Sequence, residues 1–384
     1  MVEAGVDSID GVPSCRSGVK DQMRAGASST ILVHAKDHNV GDGLLQVPFF
    51  RSLRHRFPAA RVTLAVSVGG SAYASSLKDV VSPFVDEVIE NAGLCLEKRQ
   101  AYARRRPLDD RRFDLVIDMQ KTWWRTLAVR RVRHKIFISA SKHFLFSDRW
   151  PRSFRKPERL VDQFMMLLDA TRQDPVGDAP PLRWFGPREE QRARTLLPDG
   201  PVHVGLVPGA GDRGKCWPLE RYVALAHEQG SRGRRPVFIL GPQEGEWVSL
   251  LSEAVPNAAM PGWRDGELDP GMRNPMQVAA LGGRLAAAVA NDCGTAHMLA
   301  AGETPLVSLF GYTNGAKYQP ATPRFRRLDA RAYGSDDVAA IPYADVAAAL
   351  EGLVVADPGA TTARDGAADC SERPTLHTAS AGRP

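Results

Sequence analysis

The sequence is sparing with cysteine: Cys15, Cys95, Cys216, Cys293 and Cys370 are widely spaced, without a CxxC pair and odd in number. That excludes a disulfide framework and gives no zinc signature. Long apolar runs are missing too; none approaches the roughly 18 residues needed to cross a bilayer. The first 28 residues carry acids and no apolar stretch of the secretory kind, so they read as a flexible lead and a cytoplasmic address is expected. No short-period repeat is present, which excludes solenoids.

What the 384 residues do contain is 43% hydrophobic and 24% charged, the balance of a globular protein with room for two cores. The net charge of +6 is concentrated. Between Ala101 and Lys135 eleven Lys and Arg face four Asp and Glu, and RWPRSFRKPERL at Arg149 to Leu160 adds to them. Such a patch suits an anionic partner, a phosphorylated glycolipid or an acidic membrane surface, against the commoner alternative of a solvated face. No nucleic-acid module accompanies it, and a strand-like FDLVID cuts through it, so nucleic acid is not the expected partner.

Apolar strand-like runs alternate with helical stretches twice over. STILVHA, RVTLAVS, DEVIE, FDLVID and KIFIS, interleaved with helices, predict a first α/β domain over 29–172, including a helix from Leu96 to Arg105 and another from Leu160. A Pro/Gly/Asp-rich interval makes 173–184 a linker. VHVGLVP, PVFIL, LAAAVA and PLVSLF, with helices from Pro218, near Glu246, near Met276, from Gly294 and at Tyr343, predict a second α/β domain over 185–356. The low-complexity 357–384 reads as a disordered tail.

Polar clusters then fall at predicted strand ends, where open α/β sheets bind ligands. NDCGTAHMLAAG lies between LAAAVA and a helix, so Gly294 to Ala296 can wrap an anion such as a diphosphate, or Asp292 and Thr295 can simply cap the helix. KDHNVGDGLLQVP places Asp42 just before an amphipathic helix in which Pro48 is a start or a kink. Asp42 is a cap or a carboxylate facing the cleft as a general base. VPGAGDRGKCWP satisfies GxGxxG with Gly209, Gly211 and Gly214, and nearly satisfies the P-loop. Cys216 stands where the P-loop needs a hydroxyl for magnesium, and no acid follows at the dinucleotide spacing. Gly-rich backbone with Lys215 binding phosphates, and Pro218 opening the next helix, accounts for both. In LGPQEGEW, Glu244 either satisfies a helix start or accepts the hydroxyls of a ribose.

In order and spacing, VGDGLLQVP, PGAGDRGKCWPLERYVALA, LGPQE and NDCGTAHMLAAGETPLVSLFGYT resemble the heptosyltransferase-type glycosyltransferases, family nine, from about Ile31 to Leu353. The resemblance implies a GT-B fold: two Rossmann-like doubly wound domains facing across a cleft, acceptor on the first and donor on the second. It implies an inverting, metal-independent transfer of a heptose from ADP-heptose onto an anionic glycolipid of the lipopolysaccharide inner core, without a cofactor. The chain accordingly lacks an Asp-x-Asp pair of the kind that holds magnesium or manganese in other sugar transferases.

By the same resemblance Asp42 is the general base. Lys215, Glu244, Asp292, Cys293, Gly294, Thr295 and His297 form the donor site, and Lys36 matches a lysine that many members carry. Lys121, Arg125, Arg104 and Arg105, with Arg106, Arg111 and Arg112 around them, would meet acidic groups of the acceptor, with peripheral contact at the inner membrane. Three positions depart from the family pattern: Cys293 for Ser or Thr, Gly211-Asp212 for a hydroxyl-bearing loop, and Tyr312 for Pro. The competing readings are a P-loop-like NTPase, which predicts magnesium-dependent hydrolysis lost in Lys215→Ala, and a non-catalytic nucleotide-sugar-binding protein.

Overall fold

The computed structural model describes residues 29–35, 39–94, 97–101, 107–108, 111–174, 182 and 184–355. The first half contains β1 (Thr30–Ala35), α1 (Val40–Arg56), β2 (Arg61–Val66), α2 (Lys78–Val81), β3 (Glu87–Ile89), β4 (Arg112–Asp118), α3 (Trp123–Arg130), β5 (Arg133–Ser139) and α4 (Leu160–Asp169). Its sheet has the order β3-β2-β1-β4-β5, and each pairing is parallel. Parallel strands covered on both faces need continuous apolar runs. TILVHA and RVTLAV supply them, with nearly every position buried.

The second half begins with α5 (Pro187–Leu196), β6 (His203–Val207), α6 (Leu219–Ser231), β7 (Arg235–Phe238) and α7 (Trp247–Ala254). A small hairpin, β8 (Trp263–Arg264) and β9 (Glu267–Leu268), precedes α8 (Pro275–Gly282), β10 (Ala287–Asn291) and α9 (Gly294–Ala301). β11 (Leu306–Phe310), α10 (Gly315–Tyr318), β12 (Phe325–Asp329) and α11 (Tyr343–Val355) complete it. The second sheet, β12-β11-β10-β6-β7, is again parallel throughout. The halves touch through α1 and α9. Met276 is part of the apolar core of the first half, and Met298 packs against it, although both belong to the second.

Several elements differ from the sequence expectation for physical reasons. α1 starts upstream of the apolar run: Asn39 caps it, its side chain accepting from the Asp42 amide at 2.9 Å, so Gly41 and Asp42 lie in the first helical turn. It is not amphipathic, because it is wedged between the sheet, α4 and α9, and Gly43 to Val47, Phe49, Phe50 and Leu53 are all buried. Pro48 sits inside the helix, which continues to Arg56. α5 went unread because PREEQRARTL buries only Ala193. β12, FRRLD, is an edge strand whose charges conceal it. Of the helix expected from Leu96 to Arg105, the described part is a 3-10 turn at Lys98–Ala101. Pro218 is the N-cap of α6 and not its first residue. The 1–28 lead, most of the 173–184 linker and the 357–384 tail lie outside the described residues.

A fully buried polar network ties the carboxyl ends of the first sheet together. Asp118, at the end of β4, has Oδ1 2.9 Å from His34 Nδ1 and accepts from the Gln120 amide at 3.0 Å. Its Oδ2 accepts from Thr126 Oγ1 at 2.8 Å and Ser139 Oγ at 3.1 Å. On the far side of the ring, His34 Nε2 is 2.7 Å from Ser67 Oγ. A carboxylate buried among this many donors leaves several orphans if removed. Asp118→Ala is therefore expected to lower stability by about 3 kcal/mol, read as a lower urea midpoint at unchanged m-value.

Candidate functional site

The cluster expected to hold the donor is built on the end of β10. Asn291 is fully buried, and its carboxamide is satisfied at both ends. Nδ2 donates to Pro208 O at 2.8 Å, while Oδ1 accepts from the Trp217 amide and Tyr222 Oη, each at 3.1 Å. One side chain thus fixes the strand end, both ends of the Gly-rich loop and the next helix. Trp217 is sealed into the core and donates from Nε1 to Ile341 O at 3.0 Å. The loop between these anchors brings Lys215 Nζ to 2.8 Å from Asp292 Oδ2, which also accepts from Thr313 Oγ1 at 2.8 Å. Burial works against the Lys215 charge, but the hydrogen bond and charge of Asp292 outweigh it and raise the ammonium above its ordinary range.

α9 begins at Gly294, with Cys293 as its N-cap in extended backbone. The Cys293 sulfur lies beside the Ala296 and Thr295 amides without making a cap bond, and burial pushes the thiol up to about 12. His297, one turn into the helix, is pulled down to about 4 by burial, with Asp292 opposing and Lys215 assisting. The first turn of α1 faces this helix start: a Cβ on Gly41 would lie 3.7 Å from Gly294 Cα and 3.8 Å from His297 Cδ2. The first turn of α1, which also carries Asp42, thus lies against the start of α9, where amide N–H groups and the helix dipole favour negative charge.

Glu244 is buried and accepts from the Gly241 amide through Oε2 at 2.8 Å, which caps its own turn. Burial raises its carboxyl, against the pull of that amide. Its carboxyl group presses on the Gly209 backbone, where an added Cβ would meet it at 2.4 Å. The Gly-rich loop and the LGPQE turn are thus in direct contact. The loop does not form a P-loop: Arg213–Lys215 is a 3-10 turn, and α6 begins only at Leu219, so Lys215 is not at a helix start.

Among the residues expected to meet the acceptor, Lys121 follows the carboxyl end of β4 and donates to Gln163 Oε1. Arg125 lies on α3 with its guanidinium over Trp124, 5.1 Å from the ring centre. Lys36, Arg104, Arg105 and Arg106 lie outside the described residues. The expectation of one basic patch needs correcting for Arg111 and Arg112. They sit at the amino end of β4, and its seven residues put about 20 Å between that edge and the cleft. Arg111 is also engaged, bidentate to Glu87 at 2.8 and 2.7 Å, and this contact holds the Glu87 carboxyl down to about 2.

Residues 101–338 match the profile of glycosyltransferase family 9 (heptosyltransferase). The chain belongs to that family. It is 24% identical over 365 residues to lipopolysaccharide heptosyltransferase 3 of Escherichia coli, an alignment covering 84% of this chain and 98% of that protein. Among solved structures it resembles a family 9 glycosyl transferase from Veillonella parvula (21% identity, TM-score 0.62, 85% of this chain and 98% of that one). It also resembles the Escherichia coli heptosyltransferase WaaC with ADP (17% identity, TM-score 0.57, 84% and 99%). These likenesses show that the fold is GT-B, and the family makes the chain a glycosyltransferase.

Two of the departures from the family 9 pattern prove to be one feature. Tyr312 Oη donates to Asp212 Oδ2 at 2.7 Å, and the Gly214 amide donates to Oδ1 at 2.9 Å. The tyrosine bond, then the amide, hold the Asp212 carboxyl below its ordinary range. The acid in the Gly-rich loop and the tyrosine beside Thr313 are mutually satisfied. Asn291 was missed as a site residue; its position at the strand end, followed by a small-residue helix start, was the available signal. In this family 9 transferase Cys293→Ser should supply the absent cap and raise stability by about 0.5–1 kcal/mol in urea unfolding. Because the folded state holds His297 down to about 4, protons bind the unfolded chain preferentially between about 6.5 and 4. Stability should fall as pH drops through that window, and His297→Gln should flatten that limb of a pH series of urea midpoints.

Proposed function

We propose that the chain transfers a heptose from ADP-heptose onto an acidic sugar acceptor of the lipopolysaccharide core, with inversion and without a metal ion. The reading rests on one juxtaposition: the first turn of α1, carrying Asp42, meets the start of α9, which is flanked by Lys215 and Asp292. A base and an anion-stabilising site then lie on opposite walls of one cleft. Asp42 takes the proton of the acceptor hydroxyl as its oxygen attacks the anomeric carbon from the face opposite the leaving diphosphate. Charge growing on that diphosphate is met by Lys215 and by the first-turn amides of Gly294, Thr295 and Ala296, whose N–H groups no helical carbonyl takes, all placed before reaction. His297 pulled down to about 4 is an uncharged imidazole at neutral pH, suited to hydrogen bonding and not to ion pairing.

The nucleotide assignment draws on the Escherichia coli heptosyltransferase WaaC, solved with ADP and also with ADP-2-deoxy-2-fluoro heptose. Glu244, whose carboxyl closes the LGPQE turn against Gly209, is the group that would receive the ribose hydroxyls. The core of lipopolysaccharide as acceptor follows the name of the curated relative. Lys121 and Arg125 offer cations on that side; Lys36, Arg104 and Arg105 would add to them, and surface contact with the inner membrane follows from such a substrate.

Asp42→Asn should leave the dissociation constant for ADP unchanged in calorimetry, while transfer from ADP-heptose falls by about two orders of magnitude or more. Transfer within a few fold of wild type would remove Asp42 from the mechanism. Product of retained anomeric configuration by NMR would remove the single displacement.

A further inference from the structure

The strand order of the second sheet fixes which side chains stand next to one another along its ligand edge. Its strands are all parallel, so the segments that follow β7, β6, β10 and β11 emerge side by side in that order. They carry, in turn, Glu244, Lys215, Asp292 at the start of α9, and Tyr312. Three inter-strand steps of about 4.8 Å separate the first from the last, roughly 14 Å in all. A nucleoside diphosphate sugar laid along this edge, with its ribose at Glu244 and its diphosphate at Lys215 and α9, carries its sugar toward Tyr312. This placement rests on the transferase reading above.

Tyr312 is 45% exposed and yet held at both ends. Its hydroxyl donates to Asp212 Oδ2 at 2.7 Å, and its carbonyl accepts from Arg331 Nη2 at 2.9 Å. Arg331 is fastened in turn to Asp336 at 2.7 Å. An exposed ring that is already immobile has little rotamer freedom left to lose on binding. Asp212 comes from the loop after β6 and Tyr312 from the segment after β11, so the pair spans the end of β10, where α9 begins. Lys215 lies beside it, its Nζ 5.8 Å from the Tyr312 ring centre.

The polar chemistry of the pair is one-sided. The phenol proton goes to Asp212, and the Gly214 amide donates to Asp212 Oδ1 at 2.9 Å, so oxygen lone pairs are what both side chains have left for a ligand. An ionised carboxylate repels a diphosphate but accepts hydroxyl groups. Within a nucleotide-sugar donor, the sugar ring offers both hydroxyls for these oxygens and a C–H face for the aromatic ring.

We propose that Asp212 and Tyr312 form the subsite for the donor's sugar, the ring lying against its C–H face and the two oxygens accepting its hydroxyls. The acid that looks misplaced in a phosphate-binding loop then faces the uncharged end of the ligand. Lys215, with Asp292 on one side and the Tyr312 ring on the other, marks the border between diphosphate and sugar. A donor without hydroxyls at this place leaves the acceptors unpaired, so the pair also selects the sugar.

Calorimetry on the full chain with ADP and with ADP-heptose separates the sugar from the nucleotide. Tyr312→Ala and Asp212→Asn should each weaken ADP-heptose about tenfold, while ADP stays within about twofold of wild type and reports an intact fold. Equal weakening of the two ligands would put the pair on the nucleotide and overturn the subsite, as would an unchanged affinity for ADP-heptose. Severalfold tighter ADP binding by Asp212→Asn would mean that the carboxylate faces the phosphates, with the same consequence. All three outcomes leave the transferase reading standing. If wild type itself rejects ADP-heptose, that reading fails and the sugar subsite fails with it.

Discussion

The buried carboxamide of Asn291 is the constraint on which the candidate site of the second sheet depends. A parallel sheet delivers strand ends to one edge, but it does not determine where the connecting loops lie. Here a single side chain accepts from Trp217 and Tyr222 and donates to Pro208, so the end of β10, the Gly-rich loop and α6 are fixed relative to one another. Lys215 reaches Asp292 only because both ends of its loop are anchored. In a water-free interior such a group must be fully satisfied, and then it holds position better than apolar packing, which tolerates sliding. His34, Asp118 and Ser67 do similar work in the first half, at the matching edge of the other sheet.

Much of this was legible in the residue order. Runs such as TILVHA and LAAAVA are too uniformly apolar for one-sided strands, and their alternation with helices dictated two parallel sheets. The polar clusters after them marked the ligand edge. What escaped was whatever depends on partners distant in the chain. FRRLD looks like a loop because an edge strand has one free side to give to charge. PREEQRARTL looks like surface because it is one, apart from Ala193. The basic stretch from Ala101 to Lys135 reads as one patch along the chain, but a seven-residue strand runs through it and sends its two ends to opposite edges of a sheet.

The departures from the family pattern make the same point. Singly, Asp212 in a phosphate loop and Tyr312 in place of a proline each look like damage. Together they are a hydrogen-bonded pair one hundred residues apart, and the acid's second oxygen is taken by the Gly214 amide. No local reading could have joined them. Cys293 differs in kind: a thiol stands at the N-cap of α9, where a hydroxyl would hold the first amides more strongly.

Met298 sits on α9, one residue beyond His297, and packs against the core of the other half, into which Met276 is also built. Unbranched thioether side chains adapt their shape without leaving voids, so this contact can slip while staying dry. The helix that opens beside Lys215 and Asp292 is therefore also one whose side chains reach the core of the first half, so its first turn and the contact between the halves belong to a single rigid element.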